Sequence, residues 1–341
     1  MSRVMIVTNS LTGGGAERSM NMLANELMHQ GFIVGLVPIN SGPVDQIHPL
    51  CEVMPLNRRW PGGLRDTITA YLKFNQIINK WKPNILILNC DLPELFGALL
   101  IRSVSLVIVE HTSFPWNTRK RLGLGIRKIL SLKGAKWVAV SNHLETWPNG
   151  NRFTAVIPNP VNQEIKKLDL KSNTVLKRII FIGRLSFEKR PQWLLEIARF
   201  VSYPIEIIGD GPLREELENS ANKAVLSIRF HGQQLRPWDL IEQGDLLVIP
   251  SQYEGDGLVL IEAMLLRCPV LIADIPDLRR FNLAESNYCL GPQDFIRTIM
   301  KFEKNLDLLV IANNLCQAEL SSRSISSVGE NWAMVLKTLH N

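Results

Sequence analysis

The chain has 341 residues, 46% hydrophobic and 21% charged. That is two ordinary domains with enough apolar mass for a core in each, so disordered and fibrous classes are excluded, and no apolar run approaches the ~20 residues of a membrane-spanning helix. The net charge of +6 is uneven: residues 1–162 hold 17 Lys and Arg against 9 Asp and Glu, and residues 163–341 hold 21 against 23. The basic half suits a phospholipid surface, a phosphorylated substrate or nucleic acid, and a solvated basic surface has the same composition.

The first apolar run, 4–7, stops at Thr8-Asn9-Ser10 and reads as a strand, not a signal peptide. Gly13-Gly14-Gly15 follows, then Ala16, Met20, Leu23 and Leu27 at helical spacing, with Gly31 as the expected left-handed cap. Strands are expected at 32–37, 84–89, 106–110, 137–140 and 154–157, and helices at 64–81, 93–101 and 118–133. Pro158-Asn159-Pro160-Val161-Asn162 has turn chemistry and is the candidate hinge. After a polar stretch at 166–173 the pattern restarts. Strands are expected at 178–182, 204–208, 227–231, 246–249 and 270–273, and helices at 191–200, 213–223, 237–243, 257–266 and 293–302. Helical segments at 306–320 and 327–339 close the chain.

Short apolar strands alternating with helices predict an α/β chain of two tandem, Rossmann-like, doubly wound parallel sheets. Ligands bind such sheets at the carboxyl ends of the strands, and two facing sheets predict an interdomain cleft. Cys51, Cys90, Cys268, Cys289 and Cys316 have no C-x-x-C pairing. They read as reduced thiols rather than a disulfide or zinc framework.

Chemistry-bearing residues collect at the expected strand ends. Gly183-Arg184 ends a strand, and Lys189 stands five residues on before a helix. Two cations beside a helix start suit a diphosphate, although surface cations are common there. Gly209-Asp210-Gly211 follows the next strand and allows either a tight turn or backbone approach to a ligand. The most specific string runs from Ser251 through Glu254-Gly255-Asp256-Gly257-Leu258 to Glu262. Glu254 falls in the loop and Glu262 in the second helical turn, roughly 9 Å away, at the right spacing to hold hydroxyl groups at two ends of one ligand. The glycines leave helix N–H groups bare for phosphate.

In the first half, Gly13-Gly14-Gly15 lacks the G-x-G-x-x-G spacing, and Asn40 stands where an acid would end the second strand, so nicotinamide binding is poorly supported. A glycine turn presenting amides to a phosphate or sugar remains. Glu110-His111 ends a strand, where ligand-facing residues gather. No D-x-D pair or His/Asp cluster has metal-ligand spacing, so no metal is implied. The segment 117–130 interleaves Arg119, Lys120, Arg121, Arg127 and Lys128 with Leu122, Ile126, Ile129 and Leu130. It reads as a basic amphipathic helix able to lie on an anionic bilayer, or as a packed helix with a solvated face. Arg58-Arg59-Trp60 is a basic-aromatic cluster that could reach the same surface.

The order Gly13–Gly15, Glu110-His111, Gly183-Arg184 with Lys189, Gly209-Asp210-Gly211 and Glu254 to Glu262 resembles the GT-B-fold retaining glycosyltransferases of family four, over nearly the whole chain. The resemblance implies that Arg184 and Lys189 hold the diphosphate of a UDP- or GDP-sugar and stabilise it as it leaves. It implies that Glu262 binds the ribose and Glu254 the donor sugar. Gly14 and Gly15 would line the diphosphate, and His111 would contact the sugar near the reacting carbon. His231 and Gly232 would border the base, with Gly183, Asp210, Gly211, Ser251, Gly255, Asp256, Gly257 and Leu258 completing the donor site. It implies domains at 1–162 and 163–326, with the last helix returning to the first.

No cofactor or metal is expected on this reading, the nucleotide sugar being a substrate. The acceptor would be a lipid-linked glycan or polysaccharide of the lipopolysaccharide, O-antigen or capsule type. The site would be cytoplasmic, at the inner face of the membrane, anchored peripherally through 119–128. Asp256 departs from the usual aromatic or apolar residue, where it could alter sugar selectivity or cap the helix, and Asn162 stands where Asp is often found. The rivals are an inactive sugar-nucleotide binder, a GT-B epimerase and a glycogen-type synthase, the last disfavoured by the short first domain. Nucleic-acid binding lacks any module signature.

Overall fold

The computed structural model describes residues 1–11, 14–42, 51–59, 62–112, 114–144, 153–161, 167–169, 173–310 and 317–339. Gly13, Trp60, Asn162 and Cys316 therefore lie outside the described residues. The chain divides into two compact units, Met1–Pro160 with Ser321–Asn341, and Val161–Leu320.

The first unit runs β1 (Arg3–Thr8), α1 (Gly15–His29), β2 (Ile33–Pro38), β3 (Glu52–Val53), α2 (Leu64–Trp81), β4 (Ile85–Asn89), α3 (Asp91–Leu99), β5 (Ser105–Glu110), α4 (Lys120–Leu132), β6 (Lys136–Ala139) and β7 (Ala155–Val156). Its strands form one parallel sheet in the order β3-β2-β1-β4-β5-β6-β7. Side chains alternate across a strand, so β1 feeds two cores. Val4 and Ile6 join Leu23 and Leu27 of α1 on one face, and Met5 and Val7 join Phe74 and Phe96 on the other. Each such fully buried side chain contributes about 1.5–3 kcal/mol. The α1 helix ends as its sequence requires. Gly31 takes φ +87°, its N–H reaches the Met28 carbonyl at 3.0 Å, and that of Phe32 reaches Leu27 at 3.0 Å.

The second unit runs β8 (Arg178–Ile182), α5 (Gln192–Ala198), β9 (Ile205–Ile208), α6 (Arg214–Lys223), β10 (Ile228–Gly232), β11 (Asp245–Ile249), α7 (Leu258–Leu266), β12 (Val270–Ala273), α8 (Pro276–Arg279), β13 (Tyr288–Cys289) and α9 (Pro292–Phe302). The parallel sheet order is β10-β9-β8-β11-β12-β13. Ile180, Leu247 and Ile249 face one core, and Ile179, Phe181, Leu246 and Val248 face the other. Two helices close the chain, α10 (Gln317–Ser322) and α11 (Ile325–Thr338). The latter packs on α1 in the first unit, with Trp332 buried at 2% exposure.

The structure corrects several expectations. The helix expected at 237–243 is only a 3-10 turn, Pro237–Leu240. The Asp245 carboxylate takes the N–H of Glu242 at 2.8 Å, which pulls the chain into β11 instead of another helical turn. The helix expected at 306–320 is a 3-10 turn, Leu306–Leu309, and then α10, with 311–316 outside the described residues. Arg58 does not reach a surface. It is buried, with its guanidinium donating to Thr67 Oγ1 at 3.0 Å, Asn40 Oδ1 at 2.8 Å and the Gly62 carbonyl at 3.0 Å.

Cys51, Cys268 and Cys289 are buried, and none forms a disulfide. Burial pushes the Cys51 thiol up to about 11 and that of Cys289 to about 12. Both therefore stay protonated near neutral pH.

Candidate functional site

Each sheet reverses its strand order once, between β1 and β4 in the first unit and between β8 and β11 in the second. Helices leave the two strands of such a pair toward opposite faces, which opens a crevice at their carboxyl ends. The sequence motifs fall there. The Gly14-Gly15 turn follows β1, Gly183-Arg184 follows β8, and the Ser251–Leu258 string follows β11.

In the second unit the β8 and β11 loops are tied together. The N–H of Gln252 donates to the Glu188 carbonyl at 2.7 Å. Lys189 Nζ lies 2.6 Å from Glu254 Oε1, and Ser251 Oγ donates to the same oxygen at 2.7 Å. The Glu254 N–H is fixed by Asp277 Oδ2 at 2.8 Å. The two charged side chains are 24% and 12% exposed, so the pair is neither immersed in the core nor freely solvated. Arg184 is exposed and makes no ion pair among the described residues.

Gly257, at φ +66°, is the N-cap of α7 and no side chain caps the helix, which leaves its first N–H groups uncovered by a side-chain acceptor. The helix is apolar almost throughout, and Glu262 sits inside it at 3% exposure. A carboxylate there needs a donor, and Trp238 Nε1 supplies one at 2.9 Å. Asp256 is not a helix cap. It is buried, with Oδ1 3.5 Å from an Arg280 guanidinium nitrogen that also donates to the Asp256 carbonyl at 2.5 Å.

The neighbouring strand ends extend the row. The Gly209-Asp210-Gly211 turn after β9 packs on the loop after β8. A Cβ on Gly209, whose φ is +146°, would lie 1.9 Å from the Gly183 carbonyl oxygen, and one on Gly211 would lie 2.4 Å from that of Leu185. The tight-turn reading of these glycines thus has a concrete cause. Asp210 is engaged locally, taking the Gly211 N–H at 2.7 Å and pairing with Arg214 at 3.1 Å. At the end of β10, His231 Nε2 donates to the buried carboxylate of Glu206, beside Gly232. Along one carboxyl edge, β10-β9-β8-β11, the second unit therefore gathers all its expected site residues except Glu262, which is carried inward on α7. Gly209→Ala is expected to destabilise by about 3 kcal/mol, lowering the melting temperature by ~6–12 °C. A melt unchanged within 1 °C would contradict the close approach.

In the first unit Gly14 is the N-cap of α1 and Gly15 its first residue. Asn89 Nδ2 donates to Thr8 Oγ1 at 3.2 Å across the strand reversal. Cys90, just past β4, holds φ +82°, a costly conformation for a residue with a side chain. His111 is half-buried directly after β5. The residue before it, Glu110, belongs to a buried group that the basic-face reading of α4 does not foresee. Arg127 is not on the solvated face of α4 but is 1% exposed, forked onto Glu94 and bonded to Glu110. The signal was present: Gly123, Ile126 and Leu130 are the other buried residues of α4, and Arg127 shares their helical spacing. Burial pushes the Glu110 carboxyl up to about 7 against the pull of Arg127, and that of Asp91 up to about 6 with Glu94 adding to it. Ser141 and His143, 2.6 Å apart after β6, were also missed. Among the described residues no group of His, Cys, Asp and Glu has the arrangement of a metal site, and no helix is long and apolar enough to cross a membrane.

Two family models match the chain, "Glycosyltransferase Family 4" over residues 13–165 and "Glycosyl transferases group 1" over 162–312. An uncharacterized glycosyltransferase of Haemophilus influenzae is 24% identical over 97% of this chain and 98% of its own. The α-1,4-N-acetyl-D-galactosaminyltransferase of Campylobacter jejuni, whose name specifies an undecaprenol-diphosphate-linked acceptor, is 24% identical over 77% of each chain. Among solved structures, HepE of Anabaena in complex with UDP and glucose superposes with a TM-score of 0.76 at 18% identity, covering 99% of this chain and 100% of its own.

Proposed function

Because the chain belongs to the family-four glycosyltransferases of GT-B type, we propose that it moves a hexose-type sugar, with retention, from a UDP- or GDP-sugar to a lipid-linked glycan acceptor in surface-polysaccharide synthesis. The observation that carries the reading is the meeting of Lys189, Glu254 and Ser251 at the strand reversal between β8 and β11. A cation there can hold a diphosphate, and a carboxylate beside it can hold sugar hydroxyls. Arg184 and Lys189 take the negative charge that develops on the departing nucleotide, with the α7 N-terminus adding a partial positive charge, and no divalent ion is needed. Glu262 is assigned the ribose, with Trp238 holding its second oxygen. His231 and Gly232 border the base, and Asp210 and Gly211 shape the turn beside it. In the first unit the same reading gives Gly14 and Gly15 the diphosphate and His111 the donor sugar. The UDP and glucose named with the HepE structure and the lipid-linked acceptor of the Campylobacter relative support these assignments.

The test is nucleotide release by purified protein over a panel of UDP- and GDP-sugars with lipid-linked acceptors, with and without chelator. Release from one donor, unaffected by chelator, is expected. Release from none of them would sink the reading.

The basic helix carries the second half of the proposal, peripheral attachment to the inner face of an anionic membrane. With Arg127 turned inward, the exposed face of α4 still offers Lys120, Arg121 and Lys128 among Leu122, Leu124, Ile129 and Leu132. Cations interleaved with apolar side chains suit an anionic lipid interface. Each basic residue contributes about 1 kcal/mol at such a surface, so neutralising three should weaken binding by ~10²-fold. Flotation at low salt is expected to recover the protein on phosphatidylglycerol vesicles and not on phosphatidylcholine, and K120Q/R121Q/K128Q to abolish that preference. Equal recovery on both lipids would refute it.

A further inference from the structure

We propose that Glu94, Arg127 and Glu110 form a buried clamp that positions His111, an inference that rests on the donor-sugar role given to His111 above. Glu110 is the last residue of β5, and His111 is the next along the chain. The Arg127 guanidinium closes on Glu94 with both prongs, Nε to Oε2 at 2.9 Å and one terminal nitrogen to Oε1 at 2.6 Å. Its other terminal nitrogen reaches Glu110 Oε2 at 2.7 Å. A forked contact fixes the plane of the guanidinium as well as its distance, so the direction of the Glu110 carboxylate is fixed through it.

The surroundings allow little play. Trp116 Nε1 donates to Glu94 Oε2 at 2.8 Å, and the Trp137 ring centroid lies 5.0 Å from the guanidinium carbon. Trp116 also fills the space beside Gly123, where a Cβ would come within 2.3 Å of it. The backbone of β5 is held separately, by the Val140 N–H on the Glu110 carbonyl at 3.1 Å. The clamp therefore adds what the sheet does not supply, a set direction for the Glu110 side chain, and so for the backbone from which His111 departs.

Stability alone is a poor reason for such a group. Apolar residues of equal volume commonly replace buried ion pairs without loss, and here Asp91 makes a third acid around one arginine. The costly arrangement lies where β5 turns into the ligand-facing loop. Arg127, Glu110 and Glu94 are positioning residues on this reading, acting through His111.

Two measurements test it. Glu110→Gln keeps the shape and an oxygen for Arg127 but removes the charge, and Arg127→Lys keeps the charge but loses the fork. In histidine-labelled protein, His111→Gln assigns the His111 ring signal among the six histidines. Both variants are expected to shift or broaden that signal and leave the rest in place. Kinetically, Glu110→Gln should lower kcat ~10–100-fold with the donor KM within about threefold, and should lower it less than twofold in a His111→Ala background. An unmoved His111 signal, or a penalty of full size in the His111→Ala background, would overturn the clamp. Absence of transfer with every donor, or a wild-type rate in His111→Ala, would instead remove the donor reading, and the ring signal would still decide the clamp. Circular dichroism separates unfolding from either result.

Discussion

Lys189→Ala is expected to lower kcat by ~10²–10³-fold while the protein melts within a few degrees of the wild type. The size follows from what a fixed positive group does for a leaving anion. Removing one preorganised donor from a developing negative charge costs that much in other enzymes, because solvent cannot replace it in a water-poor site. Lys189 has the placement for it. It is held 2.6 Å from Glu254 at the strand reversal and is 24% exposed. In the free protein Glu254 neutralises it, and the bound diphosphate would take over that charge. On the proposed reading the attraction strengthens as the sugar–phosphate bond breaks, so the loss should appear in kcat more than in the donor KM. The small effect on stability has a separate cause. The pair is open to solvent on one side, and Glu254 keeps the Ser251 hydroxyl as a donor when the lysine is removed, so the loss is expected to stay within about 1–2 kcal/mol. Lys189→Arg should recover part of the rate, because charge is restored on a group of different shape and reach. A single-turnover rate within threefold of the wild type for Lys189→Ala would remove this lysine from the leaving-group role.

The strands were legible because a parallel sheet covered on both faces needs short apolar runs, and β1, β4, β8 and β11 each carry an unbroken apolar run of four residues. Of the three two-residue edge strands, β7 was legible from the apolar run at its position, whereas β3 and β13 carry no such run. The candidate site was legible where chemistry sits directly after an apolar strand, as at Gly183-Arg184 and Ser251–Leu258. It was illegible where a polar residue's partner is distant in the chain. Glu262 reads as an exposed ligand group until Trp238, 24 residues away, is seen to satisfy it. The cap alternative for Asp256 holds until Arg280 is seen beside it. Arg127 shows the limit most clearly, because five cations in one segment suggest a uniform basic face. Only Glu94 and Glu110, 33 and 17 residues away, explain why one of the five turns into the core.

Arg127→Met is accordingly expected to be the most destabilising change to that helix, costing about 3–5 kcal/mol at neutral pH, because it strands buried carboxylates without a counter-charge. The pH dependence tests the cause. Burial raises the folded-state carboxyls of Glu110 to about 7 and Asp91 to about 6, above their unfolded values. The folded protein therefore binds more protons than the unfolded chain between the two values, and these groups make stability fall as pH rises through that window. Without Arg127 both carboxyls lose a cation that lowers them, so they move further up and the fall with rising pH becomes steeper. At pH 5 they are largely protonated in the folded variant, and the part of its deficit that these two carboxyls carry should be gone. Urea melts of wild type and variant at pH 5 and pH 8 measure the difference. A deficit of the same size at both pH values would mean that Glu110 and Asp91 do not set the cost, leaving it to Glu94 and to lost packing of the arginine stem.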